Sequence, residues 1–270
     1  MRVAAVQLHA TPDRDRNHSV AAGLVTQAAR EDAQLVALPE LFGYLGRGAE
    51  MREVAEPLDG PTLAWASELA SRHRIWLLAG SFVERDGQHL YNTSCLVAPT
   101  GELAAAYRKV HLFDVDVPGA GAHESELYTP GSELVTASVD GMRLGLSICY
   151  DLRFPELYRI LTLRGVSLLA VPSAFTAATG RDHWELLVRA RAVENQTYVL
   201  APDQCGTSAD GVARFGHSLV VDPWGRVLAD AGDDEGLAIA DVDPGEVTRV
   251  RSMLPSLANR QPLAYQWPAS

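Results

Sequence analysis

Arg143-Leu-Gly-Leu-Ser-Ile-Cys-Tyr-Asp-Leu-Arg-Phe-Pro-Glu-Leu-Tyr-Arg-Ile-Leu-Thr-Leu-Arg-Gly165 is the stretch from which the fold reads outward. Its first part, Arg143 to Cys149, is a short apolar run of the kind that makes a buried strand. Pro155 is a favoured first-turn residue for a helix that continues to Arg164, and Gly165 supplies the stop. The pattern repeats downstream: Ser167–Val171 reads as a strand, Asp182–Asn195 as a helix and Thr197–Ala201 as another strand. Paired strands at Ser218–Asp222 and Arg226–Ala229 flank Pro223-Trp224-Gly225, and Leu237–Val242 closes the sheet region.

The same order precedes it. Arg2–Leu8 reads as a strand, and Val20, Ala21, Leu24, Val25 and Ala28 share one face of a following helix. Gln34–Leu38 is a strand ending in Pro39-Glu40, and Pro61 opens a helix through about His73 with Leu63, Ala66 and Ala70 on its apolar face. Strands at Ile75–Val83, Leu90–Ala98 and Leu103–Val110 are separated by Asp86-Gly87 and Thr100-Gly101 turns. The halves share element order, not sequence. The expected fold is therefore α/β, two interleaved halves with sheets inside and helices outside. No low-complexity linker divides them, so one domain over residues 1–254 is expected. A proline-containing tail, 255–270, is expected to pack on the surface or on a partner subunit.

Composition narrows the function. Of 270 residues, 47% are hydrophobic and 21% charged, which excludes disorder of the whole chain. A net charge of -11 repels phosphate backbones, so nucleic acid is not an expected partner. No run approaches the roughly 20 apolar residues of a membrane span, and the first residues lack a secretory core. Cys95, Cys149 and Cys205 cannot all pair within the chain and show no zinc-type spacing, which favours a cytoplasmic setting with a free thiol. The eight histidines include no pair one helical turn apart, so no metal is expected. Gly119-Ala-Gly121 is not placed as a dinucleotide loop and reads as a mobile segment; no cofactor is expected.

Lysine occurs only at position 109; every other basic residue is arginine. A surface tolerates either, but a site that needs a compact ammonium does not accept a planar guanidinium. Cys149 sits where an apolar strand runs out and a helix begins just beyond, a place where backbone N–H groups and the helix end favour a thiolate and an oxyanion. Glu40 follows Ala37-Leu-Pro directly, a partly desolvated position suited to a general base. Taken singly, each has a plainer reading: a surface lysine, a core cysteine, a loop glutamate. Together they stand at three strand ends, which in α/β sheets converge on one site.

The segments around these residues resemble the signatures of the nitrilase superfamily of carbon–nitrogen hydrolases. Tyr-Arg-Lys-Val-His-Leu-Phe-Asp-Val-Asp-Val-Pro-Gly (107–119) and Cys-Tyr-Asp-Leu-Arg-Phe-Pro-Glu-Leu (149–157) are similar to the branch of omega-amidases and deaminated-glutathione amidases. Pro-Ser-Ala-Phe (172–175), His-Trp-Glu-Leu-Leu (183–187), Arg-Ala-Arg-Ala-Val-Glu-Asn-Gln (189–196) and Gly-His-Ser-Leu-Val-Val-Asp-Pro-Trp-Gly (216–225) extend the match over nearly the whole chain. The resemblance implies a four-layer αββα sandwich that pairs through its helices into a homodimer or larger homo-oligomer. It implies Cys149 as nucleophile, Glu40 as general base, Lys109 as oxyanion stabiliser and the Tyr150 backbone N–H as the second oxyanion donor. It also implies a second glutamate that orients the lysine, matched best by Glu124, with Glu126 as the alternative.

Arg153 is a candidate for binding a substrate carboxylate, with an ion pair to Glu156 as the structural alternative. Phe175 is a candidate pocket wall, with core packing as its alternative. The implied reaction is hydrolysis of a small carboxylate-bearing amide to acid and ammonia through a cysteine thioester, without metal or organic cofactor. A deaminated-glutathione amidase or omega-amidase fits the branch motifs; an N-carbamoyl amide hydrolase, a nitrilase and a catalytically silent scaffold are the alternatives.

Overall fold

Apolar runs of three to six residues form the parallel centre of two sheets, and the amphipathic helices between them cover the outer faces. The computed structural model describes residues 1–117, 121–209 and 211–264. In chain order its first half contains β1 (Arg2–Gln7), α1 (Arg14–Arg30), β2 (Leu35–Ala37), α2 (Gly48–Glu53), α3 (Pro61–His73) and β3 (Trp76–Leu78). These are followed by β4 (Phe82–Asp86), β5 (His89–Val97), β6 (Leu103–Arg108), and a two-stranded ribbon of β7 (Asp114–Val115) and β8 (Ala122–His123). The second half holds β9 (Thr136–Val139), β10 (Met142–Leu146), α4 (Pro155–Leu163), β11 (Leu168–Ala170), α5 (Ala177–Asn195) and β12 (Tyr198–Ala201). It ends with β13 (Leu219–Val221), β14 (Val227–Asp230), β15 (Gly236–Asp241) and α6 (Pro244–Met253).

Each half is built on one βαβαβ unit. In the first, β1, β2 and β3 are parallel, with Ala4 beside Val36 and Val36 beside Leu77, and β5 then runs antiparallel to β3. In the second, β10, β11 and β12 are parallel, with Gly145 beside Leu169 and Leu169 beside Val199, and β13 runs antiparallel to β12. β15 crosses back to pair antiparallel with β1, Ala4 facing Ile239, so the last strand of the chain ties into the first sheet.

Three apolar layers separate four layers of secondary structure. Val25 and Ala28 of α1 and Ala66 and Leu69 of α3 pack with Val36 and Leu77 of the first sheet. Val3, Leu35 and Leu78 of that sheet meet Leu144, Leu168 and Leu200 of the second. Leu157 and Leu161 of α4 and Trp184 and Val188 of α5 cover Leu169 and Val199 on the far side. The order is helix, sheet, sheet, helix, as the resemblance implied.

Four details differ from the sequence reading. Ile75–Val83 is two strands, because the chain turns at Ala79–Ser81: Gly80 has φ +39°, and a Cβ there would lie 1.9 Å from the Pro39 carbonyl oxygen. Only glycine lets these two strand ends approach so closely. Gly80→Ala is expected to destabilise the fold by about 2–3 kcal/mol in urea unfolding, through strain and a backbone clash; a midpoint equal to wild type would contradict the contact.

The run from Arg143 pairs only through Leu146, and Cys149 starts a 3₁₀ turn (Cys149–Arg153), since Cys149 itself has φ +44° and cannot extend a strand. Helix α5 begins at Ala177, five residues before Asp182. Gly180 lies inside it, at a place where the Phe215 ring fills the space a Cβ would take. The segments 48–53 and 244–253, left without structure in the sequence reading, are helices α2 and α6, the latter capped by Asp243 with Pro244 in its first turn. Of Gly119-Ala-Gly121, only Gly121 lies within the described residues.

Candidate active site

Glu40 leaves the carboxyl end of β2, Lys109 follows β6, and Cys149 follows β10. All three line one cavity of about 530 Å³, together with Glu124, Arg153 and Phe175. The convergence expected at strand ends is therefore real, and it comes from both sheets.

Glu40 is 3% exposed and is held by three donors. Asn92 Nδ2 donates to its Oε1 at 2.8 Å, Lys109 Nζ to the same oxygen at 2.9 Å, and the Ala174 backbone N–H to Oε2 at 2.9 Å. Its own carbonyl accepts from Gln204 Nε2 at 2.9 Å, so backbone and side chain are both fixed. This carboxylate can turn only a little, which suits a group that must exchange a proton at one place.

Lys109 is 1% exposed. Its ammonium donates to Glu40 and, at 3.0 Å, to Glu124 Oε1. The strand end that carries it is pinned by Lys109 N–H to the Asn92 carbonyl at 2.9 Å and by Gly131 N–H to the Lys109 carbonyl at 2.8 Å. Burial alone would lower the pKa of the ammonium, but Glu124 and Glu40 outweigh it and hold it well above the usual lysine value. The lysine is a fixed cation.

Glu124 sits in a short 3₁₀ turn (Glu124–Glu126) beyond the β7–β8 ribbon. Its Oε2 also accepts from Phe113 N–H at 2.8 Å, and burial with the nearby Glu40 charge raises its pKa while Lys109 pulls it down. Glu126 lines the cavity too, but Glu124 is the glutamate whose carboxylate reaches Lys109.

Cys149 occupies the turn after β10, its N–H donating to the Pro172 carbonyl at 2.9 Å. The expectation of a depressed thiol pKa is corrected here. Burial, then the Glu40 carboxylate, push it well above the ordinary value, with Lys109 and the Ala174 N–H opposing them. The first reason is burial, which disfavours a charged thiolate, and the Glu40 carboxylate adds repulsion that the Lys109 ammonium only partly offsets. Alkylation of Cys149 by iodoacetamide is accordingly expected to keep accelerating as pH rises past an exposed cysteine's value of about 8.5. A plateau reached below neutrality would contradict this.

Arg153 makes no ion pair with Glu156, and among the described residues no carboxylate reaches its guanidinium. Its Nη1 lies 3.3 Å from His183 Nδ1, and its guanidinium carbon is 5.2 Å from the Phe175 ring centroid. A cation at a cavity wall without a protein carboxylate is suited to an anionic ligand. Phe175 is both things proposed for it: a cavity wall and a core residue tilted against Trp184 at 5.2 Å. Cys95 and Cys205 are buried, with burial raising each thiol to about 12. Among the described residues no cluster of histidine, cysteine and carboxylate side chains could hold a metal.

Sequence reasoning missed Asn92 and the Ala174 amide. Asn92 lies in the middle of β5 among alternating residues, and only a buried amide in a strand hints at a partner. A backbone N–H leaves no mark in a sequence.

The carbon–nitrogen hydrolase family model matches residues 2–252. The chain belongs to this family. It is 44% identical over 263 residues to the deaminated glutathione amidase of Synechocystis sp., covering 95% of this chain and 97% of that protein. It is 40% identical over 255 residues to the human omega-amidase NIT2, covering 94% and 92%. The crystal structure of Saccharomyces cerevisiae Nit3, a member of branch 10 of the nitrilase superfamily, superposes with TM-score 0.88 at 35% identity, covering 97% of this chain and 96% of that one. The fold and the resemblance therefore agree.

Proposed function

We propose that this hydrolase cleaves the amide of a small carboxylate-bearing molecule through a thioester on Cys149. The observation that carries the reading is the meeting of Glu40, Lys109 and Cys149 in a cavity whose wall presents Arg153 without a protein counter-charge. The thiol proton passes to Glu40 as sulfur bonds to the amide carbon, which avoids a free thiolate among carboxylates. Negative charge grows on the carbonyl oxygen, and Lys109 Nζ and the Tyr150 N–H stabilise it. Glu40 then gives its proton to the departing nitrogen and the C–N bond breaks, leaving the thioester. Water, deprotonated by Glu40, attacks the thioester; the acid leaves and the thiol recovers its proton. Glu124 holds the ammonium in place throughout. The net change is amide plus water to acid plus amine or ammonia, with no metal or cofactor.

The names of the relatives point to deaminated glutathione or an omega-amide as substrate. The cavity lies within the range of small-molecule sites and exceeds what an acetamide-sized acyl group fills. A panel of deaminated glutathione, glutaramate, succinamate and neutral butyramide, assayed for released amine or ammonia, tests the reading. Turnover of the anionic amides is expected; turnover of butyramide alone would overturn it. Arg153→Gln is expected to raise KM for the anionic amides about 10- to 100-fold and to leave butyramide nearly unchanged. Equal effects on both classes would remove Arg153 from the binding role.

The same reading places the enzyme in the cytoplasm as a homodimer, with residues 1–254 as its domain and the tail on a partner or on the surface. Exposed Ile160 and Leu163 on α4, Leu186 and Val193 on α5, and nearby Trp224 support pairing through the outer helices. Sedimentation is expected to give a dimer or larger assembly, and Leu186→Asp to shift it towards monomer; a monomeric wild type would contradict this.

A further inference from the structure

Behind the nucleophile lies a carboxylate the mechanism above does not use. Asp151 is fully buried in the turn that starts with Cys149. Its two oxygens accept four hydrogen bonds. Oδ1 accepts from the His111 backbone N–H at 3.0 Å and from the His111 ring Nδ1 at 2.7 Å. Oδ2 accepts from the Tyr107 hydroxyl at 2.6 Å and from the Ile148 backbone N–H at 2.8 Å.

These donors are not scattered. Tyr107 and His111 stand two residues either side of Lys109, and Ile148 directly precedes Cys149. We infer that Asp151 is a positioning residue, which staples the strand end carrying the Lys109 ammonium to the turn carrying the Cys149 thiol.

Several contacts make the staple stiff. The Tyr107 hydroxyl is also in reach of the Val110 N–H at 3.3 Å, so one phenol links both sides of Lys109. The His111 ring stacks on Phe154 with centroids 3.6 Å apart and planes 7° from parallel. Because the carboxylate only accepts, Nδ1 of His111 carries the proton. A buried carboxylate holding four donors is stable in that arrangement, whereas an amide there must turn an N–H towards groups that themselves donate. The two segments come from different sheets, and no hydrogen bond between Lys109 and Cys149 links them directly. The Asp151 contact spans 44 residues to Tyr107 and 40 to His111. Catalysis by held groups loses about 100-fold for a displacement of about 1 Å, so a support of this kind is felt in turnover more than in binding.

The kinetic consequence rests on the proposed hydrolase reading; the geometry does not. Asp151→Asn and Tyr107→Phe, each in the full chain, are therefore measured in two ways. The first is turnover of glutaramate, succinamate and deaminated glutathione. Asp151→Asn is expected to lower kcat about 100-fold and Tyr107→Phe about 10-fold, with KM within about twofold of wild type. The second is the pH profile of Cys149 alkylation by iodoacetamide, read by mass spectrometry. The profile depends on how Lys109 and Glu40 sit around the thiol, so it is expected to shift in both variants, while a support with no bearing on the site leaves it in place.

Folded variants that keep both the wild-type kcat and the wild-type alkylation profile would overturn the inference. If wild type turns over none of the three amides, the functional reading fails and the alkylation profile alone decides the staple. If Asp151→Asn does not accumulate as folded protein, Tyr107→Phe decides by the same limits.

Discussion

Replacing Cys149 by alanine is expected to lower kcat at least about 10⁴-fold while the protein stays folded. Sulfur forms the bond to the acyl carbon in the proposed reaction, and no neighbouring group offers a substitute: Cys95 and Cys205 are buried elsewhere and do not line the cavity. Loss of a covalent nucleophile leaves only binding and oxyanion stabilisation, which yield a small residue of the rate. The fold should barely notice. Cys149 lies at the cavity wall rather than in the packed centre, and its backbone bond to Pro172 survives the change. The check is single-turnover and steady-state release of amine or ammonia, with circular dichroism as the control. This variant also separates an enzyme from a silent scaffold, since a scaffold has no turnover to lose.

Lys109→Arg is the second large effect, a loss of about 10²–10³-fold in kcat although the charge is kept. The lysine is wedged between Glu40 and Glu124, with 1% of its surface exposed. Guanidinium is larger and planar, and it prefers to bind a carboxylate with two parallel N–H groups. It would engage Glu40 or Glu124 in that manner and move the cation from where the oxyanion forms. A bias strong enough to make every other basic residue arginine leaves this position as lysine, in keeping with that geometry. Turnover equal to wild type would remove Lys109 from the oxyanion role.

How far the sequence foretold this can be judged residue by residue. Glu40 and Cys149 were legible because each closes an apolar run, so the strand that buries the run also delivers the residue to a sheet end; Lys109 was legible as the one lysine of the chain. Proline at 61 and 155 marked both helix starts correctly. The break at Gly80 was not legible, because it depends on a close approach to the Pro39 carbonyl from a different strand. The early start of α5 at Ala177 was not legible either, because Gly180 in its first turns packs against Phe215, a residue 35 positions away.

The direction of the thiol shift was also hidden. It depends first on how deeply the folded chain buries the sulfur and then on the Glu40 carboxylate, which comes from the other sheet, and neither is written in the residues around Cys149. Asn92 reaches Glu40 across 52 residues, and Asp151, although beside Cys149, finds Tyr107 and His111 44 and 40 residues away, so no local pattern announces either set of contacts.

The central claim, an acyl group carried on one sulfur in the shared cavity, is tested most directly by rapid acid quench of the full-length enzyme with deaminated glutathione or glutaramate, followed by peptide mass spectrometry. The account predicts a transient adduct of the acyl mass on the peptide containing Cys149, absent from Cys149→Ala. Steady turnover with no adduct on that peptide, or an adduct on another residue, would contradict it.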